Sequence, residues 1–231
     1  MYINFFKKIE CYLALSEDTQ SVATRYWLIC LKSHLKVSST YELGAALLRE
    51  KRKGTKSEEC PPITTRSLYH KEQGQPIKKK ETLSKINNLV GEDFDSAGIL
   101  CHPFWQLIDN MYPTEESINN VLANLPMRYV QALFKEGEYG GLFRKQHVHT
   151  RTLDKYERDV NIHSLTFWLA MYIESRFLGG TIDCHRAEYH YLNQLRLLMK
   201  DAHLRVMLFA LEAHITFLIW DINKARVFSS T

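Results

Sequence analysis

From His185 to Asn223 the chain contains neither glycine nor proline. Within that stretch Leu192, Leu195, Leu198 or Met199, Leu204 or Val206, Leu208 or Leu211, Ile215, Leu218 and Ile222 recur at three- and four-residue intervals. Such spacing gathers side chains on one side of an α-helix, whereas a strand, with its period of two, would scatter them over both faces. Similar spacing runs through most of the 231 residues, which include only ten Gly and six Pro. The expectation is an all-α multi-helix bundle whose C-terminal part is built from long helices. Between Val206 and Trp220 apolar residues occupy more than one face. That stretch is therefore either the central core helix or a seam with another polypeptide, and Leu208, Leu211, Ile215 and Leu218 are its candidate partner-interface residues. The spacing allows one helix, or two with the second starting at Asp201.

Earlier in the chain, capping residues and breakers mark shorter helices. Tyr2 to Leu15 and Thr19 to Val37 read as a helical hairpin with caps in Leu15-Ser16-Glu17-Asp18. Thr40 is the expected N-cap of a helix through Leu48, after which the charged run Arg49 to Lys56 reads as an exposed loop leading to Pro61-Pro62. Thr64 or Thr65 caps a short helix ending near Gly74. Lys78-Lys79-Lys80-Glu81 opens the next, with Leu83, Ile86, Leu89 and Val90 inward. Pro103, Pro113 and Pro126 each sit at or just before a helix start. Leu153 to Leu178 holds one or two helices with Leu165, Trp168, Leu169, Tyr172 and Ile173 buried, stopped by Gly179-Gly180. Glu136-Gly137-Glu138-Tyr139-Gly140-Gly141 reads as a flexible linker. It separates an N-terminal part, residues 1–134, from a C-terminal bundle, residues 142–231, as two domains or as two halves of one core.

Charge is unevenly placed. Between Arg49 and Lys85 there are eleven Lys or Arg against five acids, a net of +6, while the whole chain is +4. The remainder of the chain is therefore slightly acidic. A local excess of this size attracts polyanions, and release of counterions from phosphates makes such binding depend steeply on salt. The alternative is a solvated loop beside a lysine-rich helix start. The candidate DNA-binding residues are Arg49, Lys51, Arg52, Lys53, Lys56, Thr65, Arg66, Lys71, Lys78, Lys79, Lys80 and Lys85.

Within the segment 40–108 the order Glu42-Leu43-Gly44-Ala45-Ala46-Leu47, then Ile63-Thr64-Thr65-Arg66-Ser67-Leu68-Tyr69, then Gly74-Gln75-Pro76 and Leu83-x-x-Ile86 resembles a stretched version of the Cro/phage-repressor helix-turn-helix. That resemblance implies that Thr64, Thr65, Arg66 and Ser67 open a recognition helix facing the major groove, with Lys71 near phosphate. The following His102-Pro103-Phe104-Trp105-Gln106-Leu107-Ile108 resembles a box found in uncharacterised proteins of bacterial mobile and defence islands. One family in that setting is the small helical subunit of Lamassu-type plasmid and phage defence, which accompanies an SMC-like ATPase and a nuclease. The resemblance implies a non-catalytic accessory subunit of a bacterial multiprotein complex acting on DNA, held to a larger subunit by apolar helices. A stand-alone helix-turn-helix transcriptional regulator, dimeric and sequence-selective, is one alternative. A structural adaptor without DNA binding is another.

Chemistry-bearing motifs are sparse. His147, His149 and His163, Cys184 with His185 and His190, and Glu212 with His214 supply ligand types but match no closed zinc spacing, no HEXXH and no paired Glu-x-x-His. No Ser lies in GxSxG, and Gly137-x-x-Gly140-Gly141 lacks the Lys-Ser/Thr of a phosphate loop. No metal, cofactor or catalytic residue is expected; a metal-dependent hydrolase is the enzymatic alternative. Cys11, Cys30, Cys60, Cys101 and Cys184, odd in number and without CxxC spacing, read as reduced structural thiols. The longest apolar runs are broken by Arg205, Glu212 and His214 before reaching a membrane span, and Lys7, Lys8 and Glu10 interrupt the N-terminal pattern. A cytoplasmic protein without membrane contact is expected.

Overall fold

The computed structural model describes residues 9–53, 64–91, 93–110, 112–138, 140–145, 148, 150–179, 182–200, 204–205, 207–209, 211–217 and 219, with backbone only at 50–53 and 150. Its architecture is all-α, a multi-helix bundle whose described strands form a single two-stranded hairpin. The chain divides into two compact units, residues 1–105 and 106–231. The division falls inside the helix of the His-Pro-Phe-Trp box rather than at the glycine-rich segment 136–141.

In the first unit residues 9–13 are helical and lead into α1, Glu17–His34, capped by Ser16, whose Oγ accepts from the Thr19 N–H. One face of α1 buries Ala23, Trp27, Leu28 and Leu31. Its polar positions are satisfied from neighbours: Tyr12 OH lies 2.8 Å from Thr24 Oγ1, and Trp27 Nε1 donates to Ser96 Oγ at 2.9 Å. Four further helices follow: α2, Thr40–Lys53; α3, Thr65–Glu72; α4, Lys80–Val90; and α5, Ser96–Leu100; α3 and α5 pack on α1, and α2 packs on α3 and α4. The box at its end is core. Phe104 and Trp105 are fully buried, and the Phe104 N–H donates to His102 Nδ1 at 3.1 Å.

Two local expectations are corrected here. Ser39, not Thr40, caps α2. Ser39-x-x-Glu42 is a capping box in which the Glu42 N–H donates to Ser39 Oγ at 3.1 Å and the Ser39 N–H to Glu42 Oε2 at 3.2 Å. The charged run does not leave the helix at Arg49, because α2 continues to Lys53. Lys, Arg and Glu are good helix formers, and cations at a helix C-terminus complement its dipole. The rest of the expected loop, residues 54–63, lies outside the described residues.

The second unit contains the end of α6, Pro103–Asp109, then α7, Glu115–Ala123; α8, Met127–Leu133; β1, Phe134–Glu136; β2, Leu142–Arg144; α9, Thr150–Asp154; α10, Ile162–Ile173; a π-helical turn, Glu174–Leu178; and α11, Cys184–Leu198. The expected linker is instead the turn of a hairpin. Phe134 pairs with Arg144 and Glu136 with Leu142, and the Gly137 N–H donates to Gly141 O at 2.8 Å. A side chain at Gly137 would collide with the Phe143 ring, so glycine there closes the turn under an aromatic lid. The central helix of this unit is α10, buried from Ser164 to Ile173. Phe167 meets Trp168, Tyr129 and Tyr156 at ring-centroid distances of 5.2, 5.6 and 5.4 Å.

Among the described residues 204–219 the chain is helical, and Met207, Leu208, Leu211 and Ile215 are buried. Of the expected partner-interface residues, Leu208, Leu211 and Ile215 are buried within the chain, each no more than 2 % exposed, and Leu218 lies outside the described residues. Its outward face instead carries Phe209 and Phe217, 59 % and 66 % exposed. After α11 ends at Leu198, Met199 and Lys200 form a turn; Asp201 is outside the described residues.

Candidate nucleic-acid interface

The interface begins with a close approach of two helices. Gly44 of α2 lies against Thr65 at the start of α3, where an added Cβ would come within 2.5 Å of Thr65 Oγ1. Thr64 caps α3 by accepting the Ser67 N–H at 3.2 Å. The other end of α3 is pinned to α1. Arg25 Nη2 donates to Gln73 O at 2.8 Å, and Lys32 Nζ meets Glu72 Oε1 at 2.5 Å. Gly74, at φ +91°, closes the helix where any side chain would strike Ser21. Burial acts to raise the Glu72 carboxyl, but the hydrogen bond from Lys32, with the Thr40 hydroxyl close by, outweighs it and holds the group below its usual range.

These two ends fix a direction. A helix that starts beside Gly44 and finishes beside Thr40 runs antiparallel to α2. Leu68 is the inward residue of α3, as Leu43 and Leu47 are of α2. On the opposite side of the seam α3 turns out Arg66, Tyr69, His70 and Gln73, a stripe spaced i, i+3, i+4, i+7. Helical geometry places Tyr41 and Leu48 of α2 on that same side, one turn from Gly44 in either direction. Tyr41 is 70 % exposed, Tyr69 45 % and Leu48 43 %. The face is thus a pair of tyrosines and a leucine flanked by arginine.

The expected cations are distributed unequally around it. Arg49, Arg66 and Lys79 are exposed, and no ion pair involves them among the described residues. Lys78 pairs with Glu17 at 3.5 Å and Lys80 with Glu10 at 3.6 Å, so two of the three lysines opening α4 face the molecule's own acids. Lys71 is turned inward, its Nζ donating to Pro76 O at 2.8 Å; burial, with a further push from Lys78, lowers its pKa. Thr65 is half-buried against Gly44 and Lys85 is half-buried on α4. Lys56, and the side chains of Lys51, Arg52 and Lys53, lie outside the described residues. The charge pattern in the sequence could not single out Tyr41 and Tyr69, and the one available signal was their place beside Gly44 and Thr65 in the helix-turn-helix-like order.

The histidines and acids of the second unit form structural clusters. His190 Nε2 lies 3.0 Å from Glu157 Oε1, and its ring lies tilted against Trp168 with centroids 4.3 Å apart. Arg186 bridges Asp154 and Glu157. Burial, aided by Arg128, lowers the pKa of His163; burial also lowers that of His190 against the opposing pull of Glu157. Arg144 of the hairpin reaches the π-helical turn, where its Nη2 donates to Glu174 Oε2 at 2.6 Å. Burial raises the Glu174 carboxyl despite that partner. His147 and His149 are outside the described residues. Among the described residues no group of three or more His, Cys, Asp or Glu is arranged to hold a metal ion, and no helix is long and apolar enough to cross a membrane. Cys11, Cys30, Cys101 and Cys184 are in no disulfide among the described residues; Cys60 is outside them. No family model, curated protein or solved structure matches this chain.

Proposed function

We propose that this protein is a DNA-binding accessory subunit of a bacterial multiprotein complex and that the seam of α2 and α3 is its DNA contact. The reading is carried by one observation: α3 is fastened at both ends, and the face it turns to solvent bears Arg66, which with the exposed Arg49 of α2 has no paired carboxylate among the described residues. Cations on a fastened helix pair suit phosphate contact, because no backbone ordering remains to be done on binding and only the side chains must settle. The segment's net charge of +6 supplies the long-range attraction. The order of Gly44, Leu68 and Gly74 supports a helix-turn-helix-like pair, and the His-Pro-Phe-Trp box supports a setting in plasmid or phage defence. The exposed Phe209 and Phe217 are the side chains available to a larger subunit, in place of the buried leucines. Contact with DNA would put the protein in the cytoplasm.

The test is DNA affinity as a function of salt, with labelled single-stranded and duplex oligonucleotides, for the native protein and for Arg49→Glu, Arg66→Glu, Lys79→Glu together. The native protein is expected to show a steep logarithmic salt dependence, and the variant to lose about two to three units of that slope with most of its affinity. Equal binding by both proteins, or none by either, removes the reading. A second reading, an adaptor that binds no DNA, is favoured by the pairing of Lys78 with Glu17 and Lys80 with Glu10. It predicts no affinity at any salt and loss of a co-purifying subunit in Phe209→Ser, Phe217→Ser.

A further inference from the structure

We infer that the α2–α3 seam takes unpaired nucleobases, so that the strand it holds is single-stranded rather than duplex. The inference rests on the DNA-contact reading above and adds the class of strand. By helical spacing Tyr41 and Tyr69 fall on the side of the seam away from the buried Leu43, Leu47 and Leu68, and Leu48 falls on the same side of α2. All three are apolar surfaces left in water, which a phosphate backbone cannot cover. In a duplex the faces of the bases are stacked on one another and only their edges line the grooves, so two exposed phenol rings have nothing to stack upon. An unpaired strand offers a flat face at each nucleotide, and stacking on tyrosine is indifferent to which base is present.

The cations are placed for such a strand. Arg66 lies three residues before Tyr69, and so on the same stripe of α3, while Arg49 directly follows Leu48 on α2. Tyr69 therefore has a positive charge on its own stripe, and Leu48 has one next along the helix, so a base set on the Tyr69 ring would carry its phosphate toward Arg66. His70 and Gln73 complete the outward stripe with groups able to donate hydrogen bonds to base edges or phosphate.

The experiment uses the full chain with labelled oligothymidine, oligouridine, and the duplex of oligothymidine with oligoadenine, at one salt concentration. Oligothymidine is expected to bind roughly ten-fold or more tightly than the duplex, and oligouridine to show whether the 2′-hydroxyl matters. Tyr41→Ala and Tyr69→Ala are each expected to weaken oligothymidine binding by roughly ten-fold, and Tyr69→Phe to restore it, since the ring and not the hydroxyl does the stacking. Both rings are exposed, so circular dichroism of the variants should match the native chain. Duplex binding at least as tight as oligothymidine binding, or alanine variants with unchanged affinity, overturns the inference while leaving the charged contact in place. Failure to bind any of the three strands takes down both.

Discussion

The two units are stabilised by different means. In the first, short helices are tied at their ends by side chains: Ser39 and Glu42 cap α2, Thr64 caps α3, and Arg25 and Lys32 hold the far end of α3. In the second, one helix is surrounded, and Phe167, Trp168, Tyr129 and Tyr156 fill the space between elements. End-tying leaves helix faces open to solvent, whereas a surrounded helix leaves little. The contrast explains why the candidate interface lies on the unit with the thinner core, where fixed backbone and exposed side chains coexist.

Truncation should separate the units most strongly. Phe167→Ala removes a ring in contact with three others and should cost about 3–5 kcal/mol in chemical denaturation. Its oligonucleotide affinity under native conditions should stay unchanged; a parallel loss of affinity would show that the contrast between the units does not extend to function. Gly44→Val attacks the first unit instead. It forces α3 away from α2 and should cost about 1–3 kcal/mol, with loss of strand binding at temperatures where the protein is still folded.

Acid should distinguish the units next. His163 and His190 have lowered pKa values in the folded second unit. The folded form then resists a proton that the unfolded chain accepts, so stability is full above the ordinary histidine value of 6.5 and is lost as pH falls through it. Around His190 the groups that bear on this are Glu157 and Asp154, which favour its charge, and Arg186, which opposes it. In the first unit the lowered group is Glu72, whose contribution is present above 4.5 and lost as pH falls through its folded value. Denaturation at about pH 5.5 should therefore weaken the second unit while sparing the first. Replacing both histidines with Gln should flatten the dependence; a dependence that survives would assign it to other groups.

The smallest expected effect concerns the acids facing the basic segment. Glu10→Gln with Glu17→Gln breaks two exposed ion pairs and should alter stability by less than about 1 kcal/mol. The same change frees Lys78 and Lys80, so DNA affinity at low salt should rise rather than fall. A decrease would mean that these carboxylates position the lysines rather than compete with phosphate.

Much of the helical order was legible in the sequence because its punctuation is chemical. Thr64, Gly74, Pro103, Thr114 and Gly179 act where their backbone or capping preferences say they should. The hairpin was not, since strands of three residues carry no period and Gly137 reads as flexibility until Phe143 is seen to fold over it. Nor was the fate of the C-terminal leucines. A stripe of Leu208, Leu211 and Ile215 declares that something covers it, and only the fold says that these side chains are buried within the chain itself. The tyrosines were hidden for the opposite reason. An aromatic residue in an amphipathic helix is ordinarily core, and Tyr41 and Tyr69 stay outside because of where α3 comes to rest.

The absent side chain at position 44 leaves room for the Thr65 hydroxyl, whose oxygen would stand 2.5 Å from an added Cβ. A methyl there would be met first by a turn of that one hydroxyl, and a branched residue by α3 itself. How closely the two helices lie is thus governed by bulk at a buried position, so the exposed side of the pair could be altered by a single change made out of sight, leaving every solvent-facing residue as it was.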